Sequence, residues 1–435
     1  MTAEALLRVV LTAGEPSGDA LGARLMRAMK GQHGGPIEFA GVGGPLMEAE
    51  GLRSLFPMHE LALMGIAEIL PSLRRILRRI RETADFILRY KPDILVTIDA
   101  PDFSFRVAKA VQVSRPPVMV HYVAPTVWAW RPKRAAKVAR LYDGLICLLP
   151  FEPEYFVREG MSAAFTGHPA IENIRTLADG MDFRRRHGIP EDAFALGLLF
   201  GSRRGEVERI GEILAEATRQ AIAQANSSTP IHLIVPTLPH LKAEVEQLLR
   251  NILPLPSSGG GVRGGGLSMA SSEPMKVSPP HLSSPPESGR GGEVRIHLLT
   301  DPSEKWIAFA AMDAALAVSG TVALELALSG VPHVIAYRLK RLTYEIVRRR
   351  IRVQYAHLAN ILMDQPIVPE FIQDDCTPER IAPELASLFS INGAAATAQR
   401  TAFGRLQSRL AGNGNGEGEP SEQAARYVLG LYAHS

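Results

Sequence analysis

Cysteine is all but missing: the 435-residue chain has two, Cys147 in an apolar run and Cys376 beside Asp375. Two thiols without metal-ligand spacing exclude a disulfide framework and fit a reducing cytoplasm. Also lacking is any run of the roughly 18 consecutive apolar residues that a spanning helix needs, so membrane contact is expected to be peripheral. The apolar stretch Val9 to Ala13 is shorter than a secretory core and leads straight into a glycine turn, so it reads as a first buried strand. Charge of one sign is scarce too. With 48 basic and 45 acidic side chains the net charge is +3, so a charged partner is drawn to a local patch, and nucleic acid is not expected as a partner.

What is present is an ordinary globular balance, 46% hydrophobic and 21% charged, in a chain too long for one core. The first third alternates short apolar runs with amphipathic stretches: Arg8 to Ala13, Leu21 to Lys30, Ile37 to Val42, Leu73 to Tyr90, Ile94 to Ile98, Arg106 to Val113, Val118 to Tyr122. That order implies a parallel sheet covered by helices on both faces. The pattern restarts at Ala195 to Phe200 and runs through Ile231 to Val235, Arg295 to Leu298, Ala314 to Val318 and Val334 to Tyr337, a second α/β domain. The expected domains are therefore 1–175 and 190–410, with a C-terminal helix at 421–435 that could pack back on the first. Gly167 to Asp192 has little periodicity and reads as the connection between domains, with the cleft beside it. Pro254 to Gly292 is dominated by Gly, Ser and Pro, cannot bury a core, and reads as a disordered insertion in the second domain.

Chemistry is expected where apolar runs stop. AGEPSGD, Ala13 to Asp19, ends a strand and opens a helix: Gly14 and Gly18 allow the turn, and Ser17 or Asp19 can cap the helix. The acidic Glu15 and Asp19 disfavour a pyrophosphate there and suit an acceptor sugar hydroxyl. IDAPDF places Asp99 at a strand end as a candidate base, with Asp102 read mainly as a helix cap. In HYVAPTVWAWRPKR, Trp128 and Trp130 could stack on a sugar or pack in the core, Arg131, Lys133 and Arg134 could balance a phosphate, and His121 reads as a buried, hydrogen-bonded histidine. In the second domain FGSRRGEVERI sets Gly201 and Ser202 in a turn with Arg203 at a helix N-terminus, suited to a leaving diphosphate. SGTVALELALSGVP adds the hydroxyls and amides of Ser319, Gly320 and Thr321, while Glu325 either forks onto a ribose or is an ordinary solvent-paired helix charge. Finally, Leu73, Ile76, Leu77 and Ile80 share one face of a helix whose other faces carry Arg74, Arg75, Arg78, Arg79 and Arg81; with the apolar segment Leu61 to Leu70 before it, this reads as a contact for an anionic membrane surface.

The ordered series AGEPSGDALGARL, FAGVGGPLMEAEG, LMGIAEIL, KPDILVTIDAPDF, HYVAPTVWAWRPKR, LPFEPEYF, GSRRGEVE, SGTVALELAL and PIVPEFIQ resembles the lipid-A-disaccharide synthase family, glycosyltransferase family 19, over most of the chain outside the insertion. The resemblance implies a GT-B fold of two Rossmann-like domains whose parallel sheets face across a central cleft. It implies UDP-2,3-diacylglucosamine as donor and 2,3-diacylglucosamine 1-phosphate as acceptor, joined with inversion into a β-1,6-linked disaccharide 1-phosphate, with no metal or other cofactor. Asp99 then matches the base and Arg203 the essential arginine. Gly201, Ser202, Ser319, Gly320, Thr321, Glu325 and Asn360 fall on the nucleotide-sugar side. Glu15, Ser17, Asp19, Trp128, Trp130 and Arg131 fall on the acceptor side. The implied location is the cytoplasmic face of the bacterial inner membrane, with a homo-oligomer left open. Phe200 and Ala359 stand where the family usually has proline, and the Gly/Ser/Pro insertion has no counterpart. Two rival readings remain, a UDP-sugar 2-epimerase of the same architecture and a non-catalytic sugar-nucleotide-binding or membrane-scaffold protein; acceptor-dependent UDP release separates them.

Overall fold

A computed structural model of the chain describes residues 6–61, 69–129, 132–225, 229–250, 252, 294–348, 353–412 and 418–435. The Gly/Ser/Pro-rich segment Pro254 to Gly292, and the approach loop before the Arg-rich helix from residue 62 to residue 68, lie outside them. The chain divides into two compact units. One is built chiefly from Met1–Glu172 with Gln407–Ser435, the other chiefly from Asn173–Arg349 with Gln354–Leu406.

The first unit holds the strands β1 (Leu7–Ala13), β2 (Ile37–Val42), β3 (Arg53–Ser54), β4 (Ile94–Ile98), β5 (Val118–Tyr122), β6 (Gly144–Cys147) and β7 (Ser162–Phe165). They form a seven-stranded sheet in the order β3-β2-β1-β4-β5-β6-β7, every neighbouring pair parallel. The apolar runs are nearly continuous because both faces of the sheet are covered. Val10, Leu95, Met119 and Leu145 point into one core, while Val9, Leu11, Val96, Val120 and Ile146 point into the other, the period-two alternation of a strand. The C-terminal helix Pro420–Ala433 belongs to this unit. Its Ala424, Ala425 and Val428 bury against Val118, Val120 and Tyr122, and its N-terminus is held by Ser421 N–H donating to Glu172 Oε1 at 2.7 Å. Gly144 makes room for it, since a Cβ there would meet Leu431 Cδ1 at 2.4 Å.

The second unit contributes β8 (Phe194–Leu199), β9 (Ile231–Pro236), β10 (Val294–Leu299), β11 (Ala314–Val318), β12 (His333–Tyr337) and β13 (Glu370–Ile372). Their order is β10-β9-β8-β11-β12-β13, again all parallel. In both sheets the strand order reverses once, between β1 and β4 and between β8 and β11. A crevice opens at the carboxyl end of a parallel sheet at such a reversal, which is where doubly wound folds bind ligands.

Two expectations fail here for physical reasons. Gly167 to Asp192 is not an irregular connection: it contains the helix Leu177–Arg186, started by a capping box between Thr176 and Asp179. Phe183 is fully buried, and Gly180 lies so close to the helix Lys305–Ala311 that a Cβ would meet the Ala310 carbonyl oxygen at 2.2 Å. The Arg-rich helix, Ile69–Tyr90, is in large part a core helix. Ile80, Ala84 and Ile87 are buried, with Ile76 and Leu77 packed beside them. Arg79 is spent on Glu60, which it reaches with two nitrogens at 2.7 to 2.9 Å, on Glu82 at 2.6 Å, and on the face of Phe56 at 4.4 Å. Arg74, Arg78 and Arg81 remain exposed. No helix among the described residues is long and apolar enough to cross a membrane.

Candidate active site

In the first unit the functional candidates gather at the reversal between β1 and β4, where Ala13 lies opposite Ile98. The chain leaves β1 through Gly14, whose missing Cβ would stand 2.9 Å from Ala100 Cβ, so the two crossovers touch at this point. Glu15 is the N-cap residue of the helix Pro16–Gln32 without capping it through its side chain, and both Glu15 and Ser17 are exposed at the sheet edge.

Asp99 follows β4 directly and sits in an unusual corner. Asp99 and Ala100 both take left-handed backbone conformations, φ 47° and 43°. Such conformations cost on the order of 1 kcal/mol or more at each non-glycine residue, so the surroundings must impose them. Asp99 N–H donates to Tyr122 O at 2.9 Å, Ser104 Oγ donates to Asp99 O at 2.7 Å, and Phe103 and Ser104 N–H both donate to Ala100 O at 2.9 Å. Burial pushes the Asp99 carboxyl above the usual carboxylate range, opposed by the Ala100 N–H. Asp102 does not cap the helix Pro101–Ala110; its side chain is exposed, 3.5 Å from Arg134.

Asp19 is not a ligand group. It is buried, and its carboxylate accepts Gly44 N–H and Met47 N–H at Oδ1 and Leu46 N–H at Oδ2, at 2.9 to 3.0 Å. It therefore caps the next helix, Pro45–Ala49, from 25 residues upstream of Gly44. Trp128 is half-buried, its indole N–H held by Glu152 Oε1 at 3.1 Å and its ring edge-on to Phe151. Trp130 and Arg131 lie outside the described residues. Glu152 went unnoticed in the sequence although it sits inside the LPFEPEYF motif: it is buried, accepts Leu148 and Leu149 N–H as well as the Trp128 indole, and burial pushes its carboxyl up to about 7.

In the second unit the candidates leave β8 and β11, neighbours with Ala317 opposite Leu199. Gly201 turns at φ 100°, which favours glycine, and Ser202 and Arg203 are exposed at the start of the helix Arg204–Ala225. The Ser202 and Arg203 N–H groups both donate to Glu206 Oε2 at 3.3 Å, and the Arg203 guanidinium lies 3.5 Å from Glu206 Oε1. Glu206 thus supplies the anion that this turn attracts. Ser319, Gly320 and Thr321 lead into the helix Thr321–Leu328, which has no side-chain cap, and Gly320 and Thr321 are exposed. Glu325 is not solvent-paired: both of its oxygens accept from Lys305 Nζ at 2.9 Å.

Asn360 is a staple and not a nucleotide contact. It is fully buried; its amide donates to Val368 O and Glu370 Oε1 at 2.8 Å, and its oxygen accepts Val368 N–H at 2.9 Å, which leaves it no free valence of use to a ligand. Beside it, His333 and His357 form a buried pair at 2.8 Å. Val331 O accepts from His333 Nδ1 and Ala359 N–H donates to His357 Nδ1, so the proton between the rings belongs to His357 Nε2 and both rings are neutral. Among the described residues no cluster of three or more His, Cys, Asp or Glu side chains is arranged to hold a metal ion.

Comparison with known proteins agrees with this layout. The lipid-A-disaccharide synthetase family model matches residues 9–255 and 291–414. The lipid-A-disaccharide synthase of Rhodospirillum centenum is 42% identical over 98% of this chain and 94% of its own, and that of Ruegeria pomeroyi 40% identical over 98% and 95%. Among solved structures, Acinetobacter baumannii MurG superposes with a TM-score of 0.51 at 12% identity, over 93% of this chain and 99% of its own. The UDP-GlcNAc 2-epimerase of Methanocaldococcus jannaschii gives 0.54 at 13%, over 98% and 99%. These two share the GT-B architecture, two Rossmann-like domains with parallel sheets, and the sequence relatives carry the assignment further: the chain belongs to the lipid-A-disaccharide synthase family of glycosyltransferases.

Proposed function

We propose that the family's reaction runs here between UDP-2,3-diacylglucosamine and 2,3-diacylglucosamine 1-phosphate, with Asp99 as the base and Arg203 at the leaving group. The acceptor's primary hydroxyl oxygen attacks the anomeric carbon of the donor, the bond from that carbon to the diphosphate oxygen breaks, and UDP departs with the electron pair. The hydroxyl proton passes to the Asp99 carboxylate. One displacement inverts the anomeric centre and gives the β-1,6 linkage. The observation that carries this reading is the strained, partly buried corner that presents Asp99 at the β1–β4 reversal. A carboxylate whose affinity for protons is raised by burial is a stronger base than one in water.

On the donor side the diphosphate takes over the Ser202 and Arg203 N–H groups from Glu206, and the Arg203 guanidinium meets the charge that grows as UDP leaves. Ser319, Gly320 and Thr321 add hydroxyl and amide donors, and Glu325 serves the ribose once Lys305 turns to a phosphate. Glu15 and Ser17 bind acceptor hydroxyls, with Trp128 against the sugar ring. The exposed Arg74, Arg78 and Arg81 meet the anionic membrane surface that holds both lipid substrates.

The test is a mass-spectrometric assay of the purified protein with the donor, with and without the acceptor. The expected result is disaccharide 1-phosphate only in the complete mixture, reduced about a hundredfold or more by Asp99→Asn with substrate affinities retained. An Asp99→Asn protein that folds and transfers at full rate overturns the assignment of the base.

A further inference from the structure

Behind Asp99 lies a chain of buried hydrogen bonds that no step above uses. Thr97 is on β4 two residues before Asp99, His121 is on β5, Tyr142 precedes β6, and Ser104 is in the first turns of the helix Pro101–Ala110; all four are buried. The Thr97 hydroxyl lies 2.8 Å from His121 Nδ1 and 2.8 Å from the Tyr142 hydroxyl, and the Tyr142 hydroxyl lies 3.2 Å from Ser104 O.

The direction of every proton follows from the acceptor at the end. Ser104 O is a carbonyl and can only accept, so Tyr142 donates to it. The Tyr142 oxygen then accepts from Thr97, which has only one proton, so the Thr97 oxygen must accept from His121 Nδ1–H. His121 is neutral, its ring far below the usual imidazole range because of burial. The rings are also packed: Phe105 stands edge-on to His121 at 4.9 Å and to Tyr142 at 6.0 Å. The chain terminates on Ser104, and Ser104 Oγ is the group that donates to the Asp99 carbonyl.

We infer that Ser104, fixed by Tyr142 and Thr97, is the positioning residue that holds the Asp99–Ala100 corner in its left-handed form and so aims the Asp99 carboxylate. The inference rests on Asp99 being the base. Without the Ser104 hydroxyl the Asp99 carbonyl loses its only side-chain donor, the corner relaxes toward an ordinary backbone conformation, and the carboxylate swings away from the acceptor hydroxyl. A displacement of about 1 Å at a reacting group costs up to about a hundredfold in rate.

The experiment is a double-mutant cycle on the full chain: wild type, Ser104→Ala, Asp99→Asn and the double variant, with Tyr142→Phe alongside and each variant's melting temperature recorded. The expected result is a kcat lowered about tenfold to a hundredfold by Ser104→Ala, a KM for each sugar within twofold of wild type, and a weaker loss of the same kind in Tyr142→Phe. Ser104→Ala should have no further effect on the residual rate of Asp99→Asn, because there is no carboxylate left to aim. If Ser104→Ala lowers that residual rate by the same factor as in the wild type, or raises KM in step with the fall in kcat, its role is structural and the inference falls while Asp99 stands. If Asp99→Asn alone is fully active, the base assignment fails and the positioning inference falls with it.

Discussion

Asp19→Ala separates a structural carboxylate from a ligand-binding one at a position where the motif alone points the wrong way. In the folded chain three backbone N–H groups, those of Gly44, Leu46 and Met47, end on this carboxylate at 2.9 to 3.0 Å, inside the first unit. Hydrogen bonds to a charged acceptor are worth about 1.5 to 3 kcal/mol each, and three would sum to between about 4 and 9 if nothing relaxed. Relaxation is available, since the capped helix Pro45–Ala49 is short and Leu46 is exposed, so water can take over at least the Leu46 N–H. That brings the expected loss to about 3 to 5 kcal/mol, a large share of the total stability of a domain this size, and to a fall in melting temperature of roughly 10 °C. Asp19→Asn, which keeps one oxygen, should lose about half as much. The assay is thermal unfolding of both variants by circular dichroism, paired with kinetics at a temperature well below both transitions. A melting temperature within 2 °C of wild type together with a tenfold rise in acceptor KM would show that the carboxylate faces the ligand and that the capping geometry is wrong.

The remaining predictions concern charge and burial. His121, His168 and His333 are buried neutral, their rings pushed from 6.5 to about 3, 4 and 4 by desolvation. The unfolded chain therefore binds more protons, so the stability they lend is complete above pH 6.5 and is lost as pH falls from there toward 4, by about 2 kcal/mol per ring at pH 5. Glu152, raised to about 7, acts in the opposite sense, its share present below pH 4.5 and lost as pH rises through 7, and one such group does not offset three rings. Urea titrations at pH 8 and pH 5 should thus give a lower unfolding free energy at pH 5; an unchanged or higher value would refute the burial argument. Asn360→Ala, which leaves the buried Val368 N–H without its partner, should destabilise the second unit by about 2 to 4 kcal/mol while changing UDP affinity measured by calorimetry less than threefold. A large affinity loss with normal stability would restore Asn360 to the nucleotide site. In flotation with anionic vesicles, replacing Arg74, Arg78 and Arg81 together with glutamine should reduce binding at 50 mM salt severalfold, whereas Arg79→Gln should instead lower the melting temperature. Equal flotation of wild type and the triple variant would end the membrane role of this helix.

Which parts of this molecule could be seen in the sequence follows from how local their causes are. The buried strands were legible because a parallel sheet covered on both faces turns each strand into a short, nearly unbroken apolar run, as in Val9 to Ala13 or Ala314 to Val318. The strand-end turns were legible for a related reason: Gly14, Gly201 and Gly320 interrupt those runs where the backbone changes direction. The helix Leu177–Arg186 was missed because its start signal, Thr176 with Asp179, is local but its apolar face is little more than Phe183 and a glycine. What could not be seen was where a polar side chain goes when its partner is distant in the chain.

The residues themselves show where that limit falls. Glu15, Ser17, Asp99, Ser202 and Arg203 come within four residues of the end of β1, β4 or β8, before the following helix has brought its own packing to bear, and each still has a polar group at the sheet edge. Asp19, Glu325 and Asn360 come a turn or more further on, where the side chain already points at neighbouring backbone or a neighbouring helix, and each is occupied by protein: three N–H groups, Lys305, and the Val368–Glu370 strand. In a parallel sheet the crevice is open only beside the strand ends, so a polar residue deeper in the crossover helix must find its partners inside the fold or pay for burial without them. The same reasoning makes Ser104 the informative exception, a residue deep in the crossover whose bond runs back to the strand end and through which buried structure reaches the candidate base.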